Sequence, residues 1–307
     1  TASPFSEHSL AVFPRHTRAL LKIQEGCNGG CTYCLVPRAR GPERSRERRE
    51  VVAEFARLVA AGYREIVLTG VNLCAWRQGR RGIAELVAEL LDIPGEWRLR
   101  FGSLEPHPAL DALVALIAAH PDRICRFLHL PVQHGDDQVL ARMGRNSRSA
   151  WFANFATNAA TKIPGLHLGT DLIVGFPGET EEQFRRCREF IAALPLANLH
   201  LFRFSPRPGT PAAAYSDQVP ARTVRRRAAE LAEVAKELAA RFRRSQVGRE
   251  LVVLIEQRRA GAMAGWSDNY LWVQMSDLEA PQNTLVRCRV TGITESGLMA
   301  VPVAPPF

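Results

Sequence analysis

The sequence contains no run approaching the ~20 consecutive apolar residues that a membrane-spanning helix requires, which excludes that class. Residues 1–16 show neither the apolar stretch nor the cleavage pattern of a secretory leader, so a soluble, cytoplasmic protein with no membrane partner is expected. A disulfide framework is missing as well. The seven cysteines are an odd count and only three of them cluster, unlike the frameworks of secreted proteins. No second cysteine pair is present from which a four-ligand zinc site could be completed. Low-complexity segments and short-period repeats are also absent.

What is present is size and positive charge. A chain of 307 residues buries a sizeable core, either as one large α/β domain or as a mid-sized domain with a small one appended. Net charge is +9 and the isoelectric point about 9.6. Most of the excess is arginine, whose planar fork suits phosphate better than lysine does, so a polyanion is a plausible partner. A merely basic surface is the plainer reading of the same numbers.

Between Leu20 and Phe204, short β-branched or apolar runs alternate with helical stripes, the pattern of repeated βα units around a parallel sheet. Six strands are expected, at Leu20–Gln24, Glu65–Thr69, Arg98–Ser103, Phe127–Val132, His167–Val174 and Leu199–Ser205. Val51, Val52, Phe55, Leu58 and Val59 form one helical stripe, with Gly62 placed for a left-handed cap. Ile83, Leu86, Val87, Leu90 and Leu91 form another. A closed eight-fold barrel usually needs ~250 residues, whereas about 200 fit an open six-fold one. The expected fold is therefore α/β: a partial (βα)6 barrel over residues 17–220, preceded by a tail at 1–16. A proline-rich loop leads to a basic helix, Thr223–Arg244, expected to leave the barrel within a linker at 221–246. After Gly248 the pattern changes to short strands at Leu251–Glu256, Tyr270–Met275, Leu285–Val290 and near Leu298–Val301, which predicts a small all-β module at 247–307.

Cys27, Cys31 and Cys34 lie in a loop directly after the first strand, beside Gly26, Gly29 and Gly30, so the backbone can wrap closely around a compact group. A 4Fe-4S cubane normally takes four cysteines; three would leave one iron open to an outside ligand. The bland alternative is three incidental loop thiols. In a parallel barrel the working residues sit at the carboxyl ends of the strands. There the sequence places Thr69-Gly70, Ser103-Leu104-Glu105-Pro106, Gln133-His134-Gly135-Asp136 and Gly175-Phe176-Pro177-Gly178-Glu179, with Asp171 inside the fifth strand. Each alone is also an ordinary turn composition.

The cysteine spacing, with Tyr33 before the third cysteine, resembles the radical S-adenosylmethionine superfamily. That resemblance implies one 4Fe-4S cluster on Cys27, Cys31 and Cys34, with S-adenosylmethionine at the open iron. It further implies that Tyr33 and Gly70 lie at the cofactor, that Glu105, Gln133 and Asp171 hold its amino acid and ribose, and that Arg145 faces its carboxylate. A solvated helix-end arginine is the alternative for Arg145. His129 and His134 receive no ligand role.

A fuller resemblance, from Arg18 to about Val301, is to the methylthiotransferases. It is carried by Leu21-Lys22-Ile23-Gln24-Glu25-Gly26-Cys27-Asn28, by Leu128-His129-Leu130-Pro131-Val132-Gln133, by the stretch Gly169 to Thr180, and by Ser205-Pro206-Arg207-Pro208-Gly209-Thr210. The last 60 or so residues, through Gly265-Trp266-Ser267-Asp268-Asn269-Tyr270, resemble the TRAM module that holds tRNA in that family. Arg40-Gly41-Pro42-Glu43-Arg44-Ser45-Arg46 and Ser103-Leu104-Glu105-Pro106 are most similar to the branch acting on threonylcarbamoyladenosine beside the tRNA anticodon. Sister branches modify isopentenyladenosine of tRNA or a ribosomal protein.

The implied chemistry is reductive cleavage of S-adenosylmethionine, hydrogen abstraction from C2 of adenine and attachment of a methylated sulfur. An external electron donor and tRNA are the implied partners. Two features depart from the family. Its N-terminal domain with three further cysteines and a second cluster is not in this sequence, so sulfur insertion is expected to depend on it; and Asn72 stands near where a histidine is expected. Cys74, Cys125, Cys187 and Cys288 read as ordinary small residues. Arg38, Arg40, Arg44, Arg46, Arg48 and Arg49 read either as phosphate contacts or as a solvated helix start. A noncatalytic RNA-binding iron-sulfur protein is the rival from another class.

Overall fold

A computed structural model describes residues 17–259, 261–276 and 278–303, and the tail assigned to 1–16 lies outside them. Strands β1 (Arg18–Lys22), β2 (Glu65–Thr69) and β3 (Arg98–Phe101) pair in parallel. So do β4 (Phe127–His129), β5 (His167–Val174) and β6 (Asn198–Arg203). Parallel bridges from Leu99 to Ile124 and from Ser103 to His129 join the two sheets. No ladder among the described residues links β1 to β6. This is the expected open six-strand barrel. Its first strand stops at Lys22 rather than Gln24, because Gln24–Glu25 turns away to pair antiparallel with Arg44–Ser45.

Side chains alternate across each strand. Ile66, Leu68, Leu99 and Phe101 join an outer hydrophobic layer under the helices, while Glu65, Arg98 and Arg100 point into the barrel. The helices are α1 (Val36–Arg40), α2 (Arg48–Ala60), α3 (Ile83–Leu91), α4 (Leu110–Ala119), α5 (Asp137–Arg142), α6 (Ser149–Lys162), α7 (Glu181–Ala193) and α8 (Ala221–Ser245). Gly62 takes the left-handed conformation after α2, with φ of 91°.

The basic helix does not leave the barrel. Leu231 and Leu238 of α8 are buried in the same core as the strands, Glu230 pairs with Arg188 of α7, and Arg241 donates to the Leu194 carbonyl. Its apolar stripe is thus the sixth helical cover, and only its remaining faces reach solvent.

The carboxyl-terminal module is a closed barrel in the order β7 (Glu250–Arg259), β8 (Ala262–Ser267), β9 (Trp272–Met275), β11 (Leu298–Pro302), β10 (Leu285–Ile293). Strand β8 was not expected, since Ala262, Ala264 and Gly265 are poor strand formers. Tyr270 is not in a strand: its φ of 60° makes it part of the turn before β9.

This module closes the amino-terminal end of the large barrel. Arg98 donates to the carbonyls of Val252 and Trp266, and Arg100 to those of Ser267 and Asp268. Both guanidiniums also pair with the buried Glu65. Arg126 pairs with Asp268, and His167 Nδ1 lies 3.0 Å from the Asn269 carbonyl oxygen. The segment Gly265–Tyr270 is therefore the plug of the barrel floor.

Candidate cluster and cofactor site

At the opposite end, the loop between β1 and α1 borders a cavity of about 420 Å³. Its lining includes Cys27, Cys31, Cys34, Tyr33, Glu105, Gln133 and Arg145. Seven of the nine residues singled out from the sequence thus meet in one place. The other two, Gly70 and Asp171, are not in the lining. Gly70 instead admits Gln24, whose Cβ would lie 2.9 Å from a Cβ at position 70. Gln24 is fully buried; its amide donates to the Glu25 and Gly26 carbonyls and its Oε1 accepts from Asn72 N. Gly70 thereby shapes the cavity wall at one remove, through Asn72.

The cysteine loop is fastened from below. Thr32 N donates to Met143 O, Thr32 Oγ1 to Arg142 O, and Ala212 N to Thr32 O. Tyr33 packs edge-on against Phe176, within an apolar cluster that includes Met143, Ile173 and Ala212. Burial raises the Tyr33 phenol above its ordinary value.

The three thiols are free and half-buried. Cys27 Sγ accepts from Gly29 N at 3.2 Å and Cys34 Sγ from Val36 N at 3.4 Å, while Arg145 Nη1 lies 3.9 Å from Cys31 Sγ. A Cβ on Gly29 would stand 3.1 Å from Cys27 Sγ and 3.9 Å from Cys31 Sγ, so this glycine leaves the space that both sulfurs face. Burial raises the Cys27 thiol, and Glu43, Cys31 and Glu105 add to the rise. A coordinated cation reverses that balance by deprotonating its thiol ligands. Asn72 Oδ1 and Ser147 Oγ, both on residues in the lining, are buried without a partner and offer a polar ligand its hydrogen bonds. The donor set thus fits a metal cluster held by three thiolates with a polar molecule beside it. The remaining cysteines differ: Cys74, Cys125, Cys187 and Cys288 are fully buried, and burial pushes the thiols of Cys74, Cys125 and Cys288 up to about 12.

Arg145 and Glu105 face each other at 2.7 Å, and Arg145 also donates to Pro131 O. The carboxylate therefore fixes the guanidinium at the cavity edge, although burial opposes its charge. Asp171 sits deeper, inside the barrel. His129 Nε2 lies 2.9 Å and His200 Nδ1 3.3 Å from its Oδ1. The motifs of β4 and β5 are interlocked here: Thr170 Oγ1 donates to Leu130 O and accepts from Val132 N, and Gln133 N donates to Asp171 O. Gln133 has φ of 70° and lines the cavity. Glu179 is buried against His134 and Arg227 of α8, so the end of the Gly175–Glu179 loop is an anchor.

Sequence reasoning missed Asn28, Glu43 and Asn72 as site residues. Glu43 accepts from Asn28 Nδ2 and Asn72 Nδ2, which closes one side of the cavity. Their only signal was position, in the phrases flanking the cysteines and Gly70.

An open parallel barrel with three convergent thiols at its carboxyl end defines an enzyme scaffold built around a thiolate-held metal cluster. The chain belongs to the Radical SAM superfamily, which residues 21–191 match. It is 37% identical over 271 residues to a threonylcarbamoyladenosine tRNA methylthiotransferase, MtaB, of Thermotoga maritima, covering 87% of this chain and 62% of that protein. The Bacillus subtilis protein of the same name is 36% identical over 298 residues, covering 94% and 66%. A tRNA-2-methylthio-N(6)-dimethylallyladenosine synthase of Carboxydothermus hydrogenoformans is 38% identical over 242 residues, covering 78% and 55%. The chain therefore spans less than two thirds of the length of these relatives. Among solved structures, the radical S-adenosylmethionine methyltransferase TsrM of Kitasatospora setae, with tryptophan and an S-adenosylmethionine analogue bound, aligns with a TM-score of 0.55 at 21% identity. That alignment covers 65% of this chain and 38% of TsrM, and it supports the fold.

Proposed function

We propose that this chain is the radical-generating and RNA-docking part of a tRNA methylthiotransferase acting at C2 of N6-threonylcarbamoyladenosine beside the anticodon. The observation that carries the reading is the convergence of three free thiols on one polar-lined cavity at the carboxyl end of the barrel, in a chain similar over most of its length to proteins of that name. Cys27, Cys31 and Cys34 hold a 4Fe-4S cluster. Bound there, the cluster and S-adenosylmethionine supply one-electron cleavage of a carbon–sulfur bond and, with it, hydrogen abstraction from an unactivated carbon. Arg145, fixed by Glu105, presents its fork to the cofactor carboxylate. Gln133 and the unpartnered Asn72 Oδ1 and Ser147 Oγ meet its other polar groups. Asp171 serves the ribose from below. Tyr33 and Phe176 keep water from the underside of the loop.

Sulfur insertion draws on a donor outside these 307 residues, because the four other cysteines are buried. In this reading the protein works in the cytoplasm with an external electron donor, and the closed β-barrel is a TRAM-like module. No helix among the described residues is long and apolar enough to cross a membrane.

Anaerobic reconstitution with iron and sulfide, followed by reduction and addition of S-adenosylmethionine, tests the reading. The expected product is 5′-deoxyadenosine, abolished by Cys31→Ala. Colourless material that binds zinc tightly, or cleavage by Cys31→Ala at the unsubstituted rate, would overturn the ligand assignment. The similarity to the dimethylallyladenosine synthase gives a second substrate reading. Nucleoside mass spectrometry of tRNA from cells with and without the gene separates the two adenosines.

A further inference from the structure

Three adjacent strands carry a second set of metal-binding side chains, apart from the cysteine loop. Leu128 of β4, Leu172 of β5 and Leu199 of β6 belong to the core beneath the helices. Alternation along each strand therefore turns their neighbours His129, Asp171 and His200 to the inner face. His200 is the register partner of Asp171, and His129 is the partner of Gly169, two residues before it. Both imidazoles reach the same carboxylate oxygen. His129 Nε2 lies 2.9 Å and His200 Nδ1 3.3 Å from Asp171 Oδ1, and all three ligand atoms fall within 4.8 Å of one another.

The partners of these groups set them apart from the rest of the interior. Buried carboxylates elsewhere are neutralised by arginine: Glu65 by Arg98 and Arg100, Asp136 by Arg186, Glu179 by Arg227 and Asp268 by Arg126. Among the described residues no arginine pairs with Asp171, whose ion-pairing neighbours are the two imidazoles. The buried His134 and His167 also differ, since they lie on separate acceptors, Glu179 and the Asn269 carbonyl. His129 and His200 instead converge on one atom. Two imidazole nitrogens and a carboxylate oxygen are a donor set of zinc and its neighbours among the divalent transition metals. Tetrahedral bonds of ~2.0–2.1 Å would separate such donors by about 3.3 Å, close to the 2.9 and 3.3 Å found here. Side-chain exposure rises from 12% at His129 through 22% at Asp171 to 53% at His200, so the set is anchored on β4 and open to solvent on the β6 side.

We infer that His129, Asp171 and His200 bind one divalent transition-metal ion of the zinc class, with a fourth position left to water, at a site separate from the three thiols. None of the three residues lines the cysteine cavity. Three protein ligands with one open position is the arrangement of reactive rather than structural zinc. Carriage on paired strands holds the donors in place before the ion arrives. Both imidazoles use Oδ1 of Asp171, so Oδ2 stays available to the ribose in the proposed function, and the inference does not depend on that reading. The sequence gave His129 no ligand role because its two partners come from other strands.

The test first rebuilds the iron-sulfur cluster, so that the thiols are occupied, and then adds an equivalent of zinc chloride to the 307-residue chain. One zinc per chain is expected to survive desalting. Its K-edge absorption spectrum should show nitrogen and oxygen neighbours at ~2.0–2.1 Å and no sulfur at ~2.3 Å. His200→Ala is expected to weaken zinc binding at least about 100-fold in competition with a chromophoric chelator, because even residues that merely support a ligand are worth about 10- to 100-fold. His200→Asp keeps an oxygen donor and retains most of the affinity, which separates a lost ligand from a lost fold. Zinc also raises the urea midpoint of the unsubstituted chain and leaves that of His200→Ala unmoved, since a ligand stabilises the state that binds it. Sulfur in the zinc shell, equally tight binding by His200→Ala, or zinc-free protein after desalting would each overturn the site. Zinc held by nitrogen and oxygen in a chain that forms no 5′-deoxyadenosine would leave the site standing while the proposed function falls.

Discussion

A Cβ on Gly169 would lie 3.0 Å from His129 Nδ1, tighter than ordinary contact, so this glycine lets the His129 ring stand between β4 and β5 and reach Asp171. Gly169→Ala is expected to cost about 1–3 kcal/mol, the usual penalty for overpacking a tight site. Urea unfolding measures that loss, and the displaced His129 also weakens S-adenosylmethionine binding, measurable by equilibrium dialysis. A neighbouring pair makes a complementary point. Arg145 and Glu105 appeared in the sequence as two separate cofactor contacts, and the structure makes them partners at 2.7 Å. Arg145→Lys keeps the charge but loses the bidentate fork, so KM for the cofactor is expected to rise more than kcat falls. The cysteines were legible because their spacing is local. Glu43, Asn28 and Asn72 were not, since their mutual hydrogen bonds span 15 and 29 residues.

Among the elements, helices with a clear apolar stripe read well: α2 and α3 lie at the residues their patterns indicate. Strand β8 was illegible for a physical reason. A Cβ on Gly265 would approach the Leu254 carbonyl oxygen to 1.8 Å, so the glycine that lowers this segment's strand propensity is what lets β8 pack against β7. Gly265→Ala is expected to part these strands and unfold the module. Because Trp266 and Trp272 lie at that site, their fluorescence should shift to the red; an unchanged spectrum with unchanged resistance to proteolysis beyond Gly248 would show that β8 tolerates the change. Helix α8 was misplaced because an amphipathic pattern reveals that a face is buried without revealing against what.

For the whole molecule, the junction between barrel and module dominates. Glu65 is fully buried between Arg98 and Arg100. Burial pushes its carboxyl up, but Arg100 and Arg98 outweigh this and hold it down at about 2. Glu65→Gln strands two buried guanidiniums and is expected to cost about 3–5 kcal/mol. Beside it, burial lowers His167 from 6.5 to about 3, so the ring stays neutral against the Asn269 carbonyl. The signs agree. The unfolded chain protonates His167 at pH 6.5 and Glu65 at 4.5, whereas the folded chain waits until about 3 and about 2, so stability falls as pH drops through those windows. His167 alone contributes a loss of about 2 kcal/mol between pH 6.5 and 5. His167→Asn, which keeps a donor without titrating, is expected to remove that part of the pH dependence in urea midpoints compared at pH 7 and 5.

The sequence by itself determined the βα alternation, the open six-fold barrel, the three-thiol loop and the change to an all-β module, because each is written in short-range spacing. Only the tertiary structure decided that Gly265–Tyr270 plugs the barrel floor and that Arg145 answers Glu105. Burial and charge pairing at those places depend on residues far apart in the chain, and no local pattern encodes which of them meet.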